Sequence, residues 1–168
     1  MLPLLTLIVF PSLMAVAAAS DVLTMTIANR VSVLLVVGYL ALAAWAGVSG
    51  RDILVDHLTC GLAVLGLLFA FFAFGWIGGG DAKLASATAL WLGWSHLADY
   101  GLVASLGGAV LTLAILLFRR VDLPHRIAAR AWVARLHDRR NGVPYGVALA
   151  VAGLALYPQT QLWHLAGA

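Results

Sequence analysis

Tyr100-Gly101-Leu102-Val103-Ala104-Ser105-Leu106-Gly107-Gly108-Ala109-Val110-Leu111-Thr112-Leu113-Ala114-Ile115-Leu116-Leu117-Phe118 runs without a single charged side chain and stops at Arg119-Arg120. A helix crossing a bilayer needs about 20 mostly apolar residues, and this run meets that length and ends on a paired positive charge. Moving outward, similar runs appear at Leu2–Ala19, Val31–Val48 and Leu58–Ile77. A thinner one begins at Leu84–Trp94 and extends to about Ala98, and a short one covers Val143–Tyr157. Backbone groups cannot remain unpaired in hydrocarbon, so each run reads as a helix rather than an open strand. The fold expected is an all-α integral membrane protein of about six transmembrane helices, residues 1–168 forming a single polytopic domain.

Composition excludes the water-facing alternative. Of 168 residues, 63% are hydrophobic and 10% charged, with a mean hydropathy of +1.00. Soluble domains are closer to 45–50% apolar and about 25% charged. Glutamate is absent, and the seven acids are Asp21, Asp52, Asp56, Asp81, Asp99, Asp122 and Asp138. The single cysteine, Cys60, excludes an internal disulfide and a multi-thiolate zinc site. It reads as a small buried core residue.

The basic residues set the orientation. The 119–141 connection holds seven arginines, whereas Arg30, Arg51 and Lys83 stand alone. With six spans, the connections after the first, third and fifth share a side and carry nine of the ten basic groups, which makes that side cytoplasmic. Both termini then face outward, to the periplasmic side. Within 119–141, the Leu123-Pro124 start and the spacing of Ile127, Ala131 and Ala134 suggest a short basic helix on the inner membrane surface. A solvated loop that merely fixes topology explains the same residues. Nucleic-acid binding is a poor account, because the arginines adjoin membrane spans and no reading motif accompanies them. A cleaved secretory signal over Leu4–Ala19 is disfavoured: Met1-Leu2-Pro3 carries no positive side chain.

Ionisable groups at membrane depth are functional candidates, and two aspartates fall on the same expected face. Asp21 closes the first helix, in Ser20-Asp21-Val22-Leu23-Thr24-Met25-Thr26-Ile27-Ala28-Asn29. Asp81 precedes the fourth, in Gly78-Gly79-Gly80-Asp81-Ala82-Lys83-Leu84. Two carboxylates sharing a partly dry site cannot both ionise, so one keeps a proton. The ionised partner activates a water as general base while the protonated one polarises a scissile carbonyl, and the pair titrates as a unit. The glycines let a backbone approach and hydrogen-bond an extended peptide. Taken singly, each feature has a plainer account: Asp21 or Asp81 as a helix cap, three glycines as a turn, Lys83 as a snorkelling anchor.

Together, the two segments resemble the signature regions of the type IV prepilin peptidases, polytopic aspartic proteases of the Gly-x-Gly-Asp kind. The family's first region, Asp followed by Ile-Pro-Asn, is matched by Asp21 and Ile27-Ala28-Asn29, with alanine in place of proline. The second, Gly-Gly-Gly-Asp-x-Lys, is matched in full at Gly78–Lys83. Val143-Pro144-Tyr145-Gly146-Val147-Ala148 resembles the family's last helix. The chain is similar to the short TadV/CpaA-type members, linked to Flp-type pili and lacking the N-terminal methyltransferase domain. The resemblance implies Asp21 and Asp81 as the catalytic pair, Gly78, Gly79, Gly80 and Asn29 as shaping the site, and Lys83 as supporting it. It also implies no cofactor, a bacterial inner-membrane location, and prepilin or pseudopilin substrates cut at the cytoplasmic face. Such substrates carry a basic leader, a glycine before the cut and an apolar helix after it.

Asp52, Asp56 and His57 fall in the second connection, on the outer side, where structural or interfacial roles are expected. Asp99 and His96 occupy an outer turn, and Asp122 and Asp138 balance charge among arginines. No histidine shows metal-ligand spacing with another His or Cys, so no metal is expected. Two rival classes stand beside the peptidase. An ion-coupled small transporter would favour acids near the bilayer midplane and an internal repeat. A non-catalytic pilus assembly factor would keep the fold without the chemistry.

Overall fold

A computed structural model describes residues 2–167, with side chains from 4 to 165. Helix α1 (Leu2–Thr24) is followed by α2 (Asn29–Trp45), α3 (Gly50–Ala73), α4 (Gly79–Leu92) and α5 (Trp94–Phe118). Two short helices, α6 (His125–Ala128) and α7 (Ala131–His137), lie in the long connection before α8 (Gly146–Leu156). A 3₁₀ turn at Tyr157–Gln159 leads into α9 (Gln161–Gly167). No strand occurs among the described residues. Leu4–Thr24, Gly50–Ala73 and Trp94–Phe118 are long and apolar enough to cross a membrane, and Asn29–Trp45 and Gly146–Gln159 are shorter apolar stretches.

Burial resolves what uniform hydropathy hides. On α1, Thr6, Phe10, Met14, Ala17 and Asp21 are buried; their spacing of four, four, three and four residues marks one helical face. On α2 the buried face is Val31, Ser32, Leu35, Tyr39, Leu42 and Ala43. On α5 only Tyr100, Ala104 and Gly108 are buried, so most of that apolar helix faces outward from the bundle. Helix α4 differs, since Ala82 and every residue from Leu84 to Leu92 are buried. A helix buried all round belongs in the core, and α4 packs against α2, α3, α5 and α8. Its alanines and serine allow close approach. At Gly61 of α3, an added Cβ would sit 3.2 Å from Leu90 Cβ and 3.3 Å from the Ser86 carbonyl oxygen.

Several boundaries depart from those expected. The fourth run does not extend to Ala98: Gly93, at φ 72°, ends α4 and starts α5 with no loop between. Glycine permits that left-handed junction because it has no Cβ to clash. The second connection is helical rather than a loop, with a π-helical segment at Ile53–Leu58 inside α3. There Asp56 Oδ1 accepts from the Trp94 backbone N–H at 3.1 Å, satisfying an orphan donor at the start of α5. His57 is buried, with Nδ1 3.0 Å from the Leu90 carbonyl. The 119–141 connection forms two short helices instead of one, because Arg130 is extended at ψ 120° between them.

The connections sort to two ends. At one end, Met25–Ile27 and Gly78–Asp81 line one cavity, and Arg135 of the long connection donates to the Leu23 carbonyl. At the other end, Asp56 meets Trp94 and the Tyr157 hydroxyl donates to the Thr6 carbonyl. The connections after α1, α3 and α5 therefore meet at a common end.

Candidate active site

Asp21 lies inside the last turn of α1 rather than closing it, since the helix continues to Thr24. Its side chain extends the buried Phe10–Met14–Ala17 stripe and is 6% exposed. After Thr24, Met25 takes φ 55°, a left-handed conformation that glycine usually supplies at helix ends. That turn brings Thr26 and Ile27 back over the end of α1. Ala28, at φ −66° and ψ 134°, is the extended N-cap of α2.

Asp81 is the third residue of α4, whose N-cap is Gly78, again extended and without a side-chain cap bond. The capping account of Asp81 is therefore not what the helix start displays. The three glycines have separate reasons. A Cβ at Gly78 would come within 2.9 Å of Asp81 Oδ2, one at Gly79 within 3.1 Å of the Phe72 ring, and one at Gly80 within 3.2 Å of Ile27 Cβ. The α3–α4 connection thus lies directly on the α1–α2 turn.

Between them is a cavity of about 300 Å³ lined by Asp21, Met25, Thr26, Ile27, Gly78, Gly79, Gly80 and Asp81. Both aspartates and all three glycines singled out from the sequence share it. Lys83 and Asn29 do not line it. They bond to each other, Lys83 Nζ donating to Asn29 Oδ1 at 2.9 Å. Both border a neighbouring apolar groove of about 510 Å³ between α2, α3 and α4. That bond ties the starts of α2 and α4 together just beside the cavity.

One contact has no counterpart in the sequence reading. The backbone N–H of Gly146 donates to Asp21 Oδ2 at 2.7 Å. Gly146 is the first residue of α8, where N–H groups lack intrahelical partners and the helix dipole favours an anion. Asp21 therefore caps α8 across 125 residues of chain. A Cβ on Gly146 would meet Ile27 Cδ1 at 2.6 Å and Asp21 Oδ2 at 2.8 Å, so any larger residue there must push one or both of these side-chain ends aside. Pro144-Tyr145-Gly146 is visible as a turn signal, but spacing alone does not show which side chain it meets. For the Asp81 carboxylate, no hydrogen-bond donor is found among the described residues. Also among the described residues, no three His, Cys, Asp or Glu side chains come together as a metal site would require.

This arrangement offers two carboxylates of unlike surroundings in one small cavity, with three glycines presenting bare backbone on one side of it. That is a setting for general acid–base chemistry on an extended peptide. Residues 8–116 match the model of the type IV leader peptidase family. A prepilin leader peptidase/N-methyltransferase of Pectobacterium carotovorum subsp. carotovorum is 33% identical over 127 residues, covering 73% of this chain and 46% of that protein. The chain thus spans about half the length of that curated relative. No solved structure matches. The matched residues 8–116 include both aspartates and the glycine run but stop short of Gly146.

Proposed function

This chain belongs to the type IV leader peptidase family, and from that premise we propose that it is a membrane-embedded aspartic endopeptidase removing the basic leader from prepilins. The observation that carries this reading is the shared cavity: Asp21 and Asp81, 60 positions apart, line the same space together with Gly78–Gly80. Six helices cross the bacterial inner membrane, the connections after α1, α3 and α5 face the cytoplasm, and cleavage occurs on that face. The positive charge on those connections supports this orientation. Flp-type prepilins are the substrates, as in the short family members the sequence resembles.

The roles of the two carboxylates follow from their partners. Asp21 accepts the Gly146 N–H, a donor matched to an ionised carboxylate, and acts as the base. Asp81 has no donor among the described residues and holds the shared proton. Asp21 takes a proton from water, and the resulting oxygen bonds to the scissile carbonyl carbon. Asp81 gives its proton to the carbonyl oxygen, producing a neutral gem-diol. The proton on Asp21 then passes to the amide nitrogen as the carbon–nitrogen bond breaks. A diol hydroxyl returns its proton to Asp81, leaving a carboxylic acid, a free amine and the starting pair.

The test is leader cleavage in membranes, with a small prepilin co-expressed beside wild type, Asp21→Asn or Asp81→Asn. Each variant is expected to insert normally and lose activity by about 100-fold or more, the scale of a lost acid or base. Processing at the wild-type rate in either variant removes that aspartate from the mechanism.

A further inference from the structure

Arg119 follows the last residue of α5 and is 8% exposed. Among the described residues no carboxylate pairs with it. Its guanidinium is instead spent on main-chain carbonyls: Nε donates to Leu136 at 2.7 Å, and Nη2 donates to Asn141 at 3.0 Å and to Gly142 at 2.7 Å. An unpaired buried charge is costly, so three good acceptors are what make this position tenable. The planar, multi-donor fork of arginine serves several carbonyls at once, which a lysine ammonium on a flexible stem does less well.

The chain leaving this clip has little freedom. Pro144 is fully buried, and its ring fixes φ. Tyr145 donates its hydroxyl proton to the Ala104 carbonyl at 3.1 Å. Its ring occupies a notch at Gly108, where an added Cβ would collide with it. The next residue is Gly146, whose N–H reaches Asp21. The connection is also tied to α1 itself. Arg135 Nη2 donates to the Leu23 carbonyl at 2.5 Å, two residues beyond Asp21, and Asn141 Nδ2 donates to the Arg135 carbonyl at 2.8 Å.

We propose that Arg119, Tyr145 and Gly146 are positioning residues for Asp21: the arginine clip and the tyrosine plug set the place of the Gly146 N–H, which orients the Asp21 carboxylate. The inference rests on the reading of Asp21 as a catalytic carboxylate. With Oδ2 held by Gly146, Oδ1 is left to take a proton from water. A carboxylate on a helix otherwise rotates among staggered rotamers, and misplacing a reacting group costs rate rather than substrate affinity. The arginine-rich connection thereby acquires a task that a topology signal alone does not have.

The experiment measures kcat and KM for prepilin cleavage by the full chain in detergent, normalised to folded protein. The variants are Arg119→Gln, Arg119→Lys, Gly146→Ala, Gly153→Ala and Asp21→Asn. Gly153→Ala crowds the same helix against Thr88, 3.0 Å away, and Phe10, 3.3 Å away, without touching Asp21, and reports packing alone. Arg119→Gln and Gly146→Ala are expected to lower kcat by about tenfold or more with KM within about twofold. Arg119→Lys recovers part of the loss, and Gly153→Ala costs thermal stability while keeping kcat per folded molecule. Wild-type kcat in Gly146→Ala, with Asp21→Asn inactive, overturns the positioning role and leaves the catalytic reading standing. The same kcat loss in Gly153→Ala as in Gly146→Ala also overturns it, because packing then accounts for the effect. An active Asp21→Asn overturns both. If Arg119→Gln fails to fold, Gly146→Ala decides.

Discussion

Each residue in the cavity has a reason of its own to be what it is. Asp21 continues a stripe of buried residues on α1, so its direction is set by the same packing that seats Phe10 and Met14. A Cβ added at Gly80 would sit 3.2 Å from Ile27 Cβ, tighter than ordinary contact, with the Ile27 backbone nitrogen in plain contact at 3.5 Å, so anything larger than a methyl group would press on the Ile27 main chain. Backbone does not yield as a side-chain tip does. Gly80→Val is therefore expected to separate the two turns, lowering cleavage about tenfold or more and stability by about 1–3 kcal/mol, as read by prepilin processing and thermal unfolding in detergent. The glycine run and Asp81 were legible from the sequence as one motif. That Lys83 and Asn29 bond to each other at the cavity's edge was not, because 54 residues separate them and neither type demands the other.

Among the elements, the turn from α1 to α2 and the isolation of α4 matter most for the site. Ala28 stands where relatives are expected to carry proline, and its φ of −66° is the angle a pyrrolidine ring imposes. Its N–H donates no bond among the described backbone hydrogen bonds. Ala28→Pro is accordingly expected to be tolerated, to raise stability by about 0.4–1 kcal/mol by restricting the unfolded chain, and to leave kcat unchanged. Thermal unfolding beside a cleavage assay checks both. In the sequence, helix α4 is visible only as a thin apolar run, and its end at Leu92 lies earlier than that run suggests. Its 14 residues rise only about 21 Å, short for a bilayer, yet every residue from Leu84 to Leu92 is buried among the other helices, so its length need not match lipid. The glycine junction at Gly93 is not legible in the sequence, because an isolated glycine in an apolar run carries no direction.

At the scale of the molecule, the chain doubles back so that connections after α1, α3 and α5 meet at one end and carry most of the positive charge. The proposed topology predicts opposite accessibility at the two ends. In a Cys60→Ala background, Ser95→Cys is expected to react with an impermeant thiol reagent added from the periplasmic side, and Arg139→Cys only after the membrane is opened. Labelling of both from one side would refute six alternating spans. Local chemistry by itself determined much here: hydropathy requires helices, since lipid offers no partner for a free backbone group, and Gly78–Asp81 is readable as one motif. Only the tertiary structure decided which faces turn inward, because a helix apolar all round has no periodicity to read. It also decided that Gly146 meets Asp21, a contact between residues far apart in sequence, which arises only when α1 and α8 pack side by side.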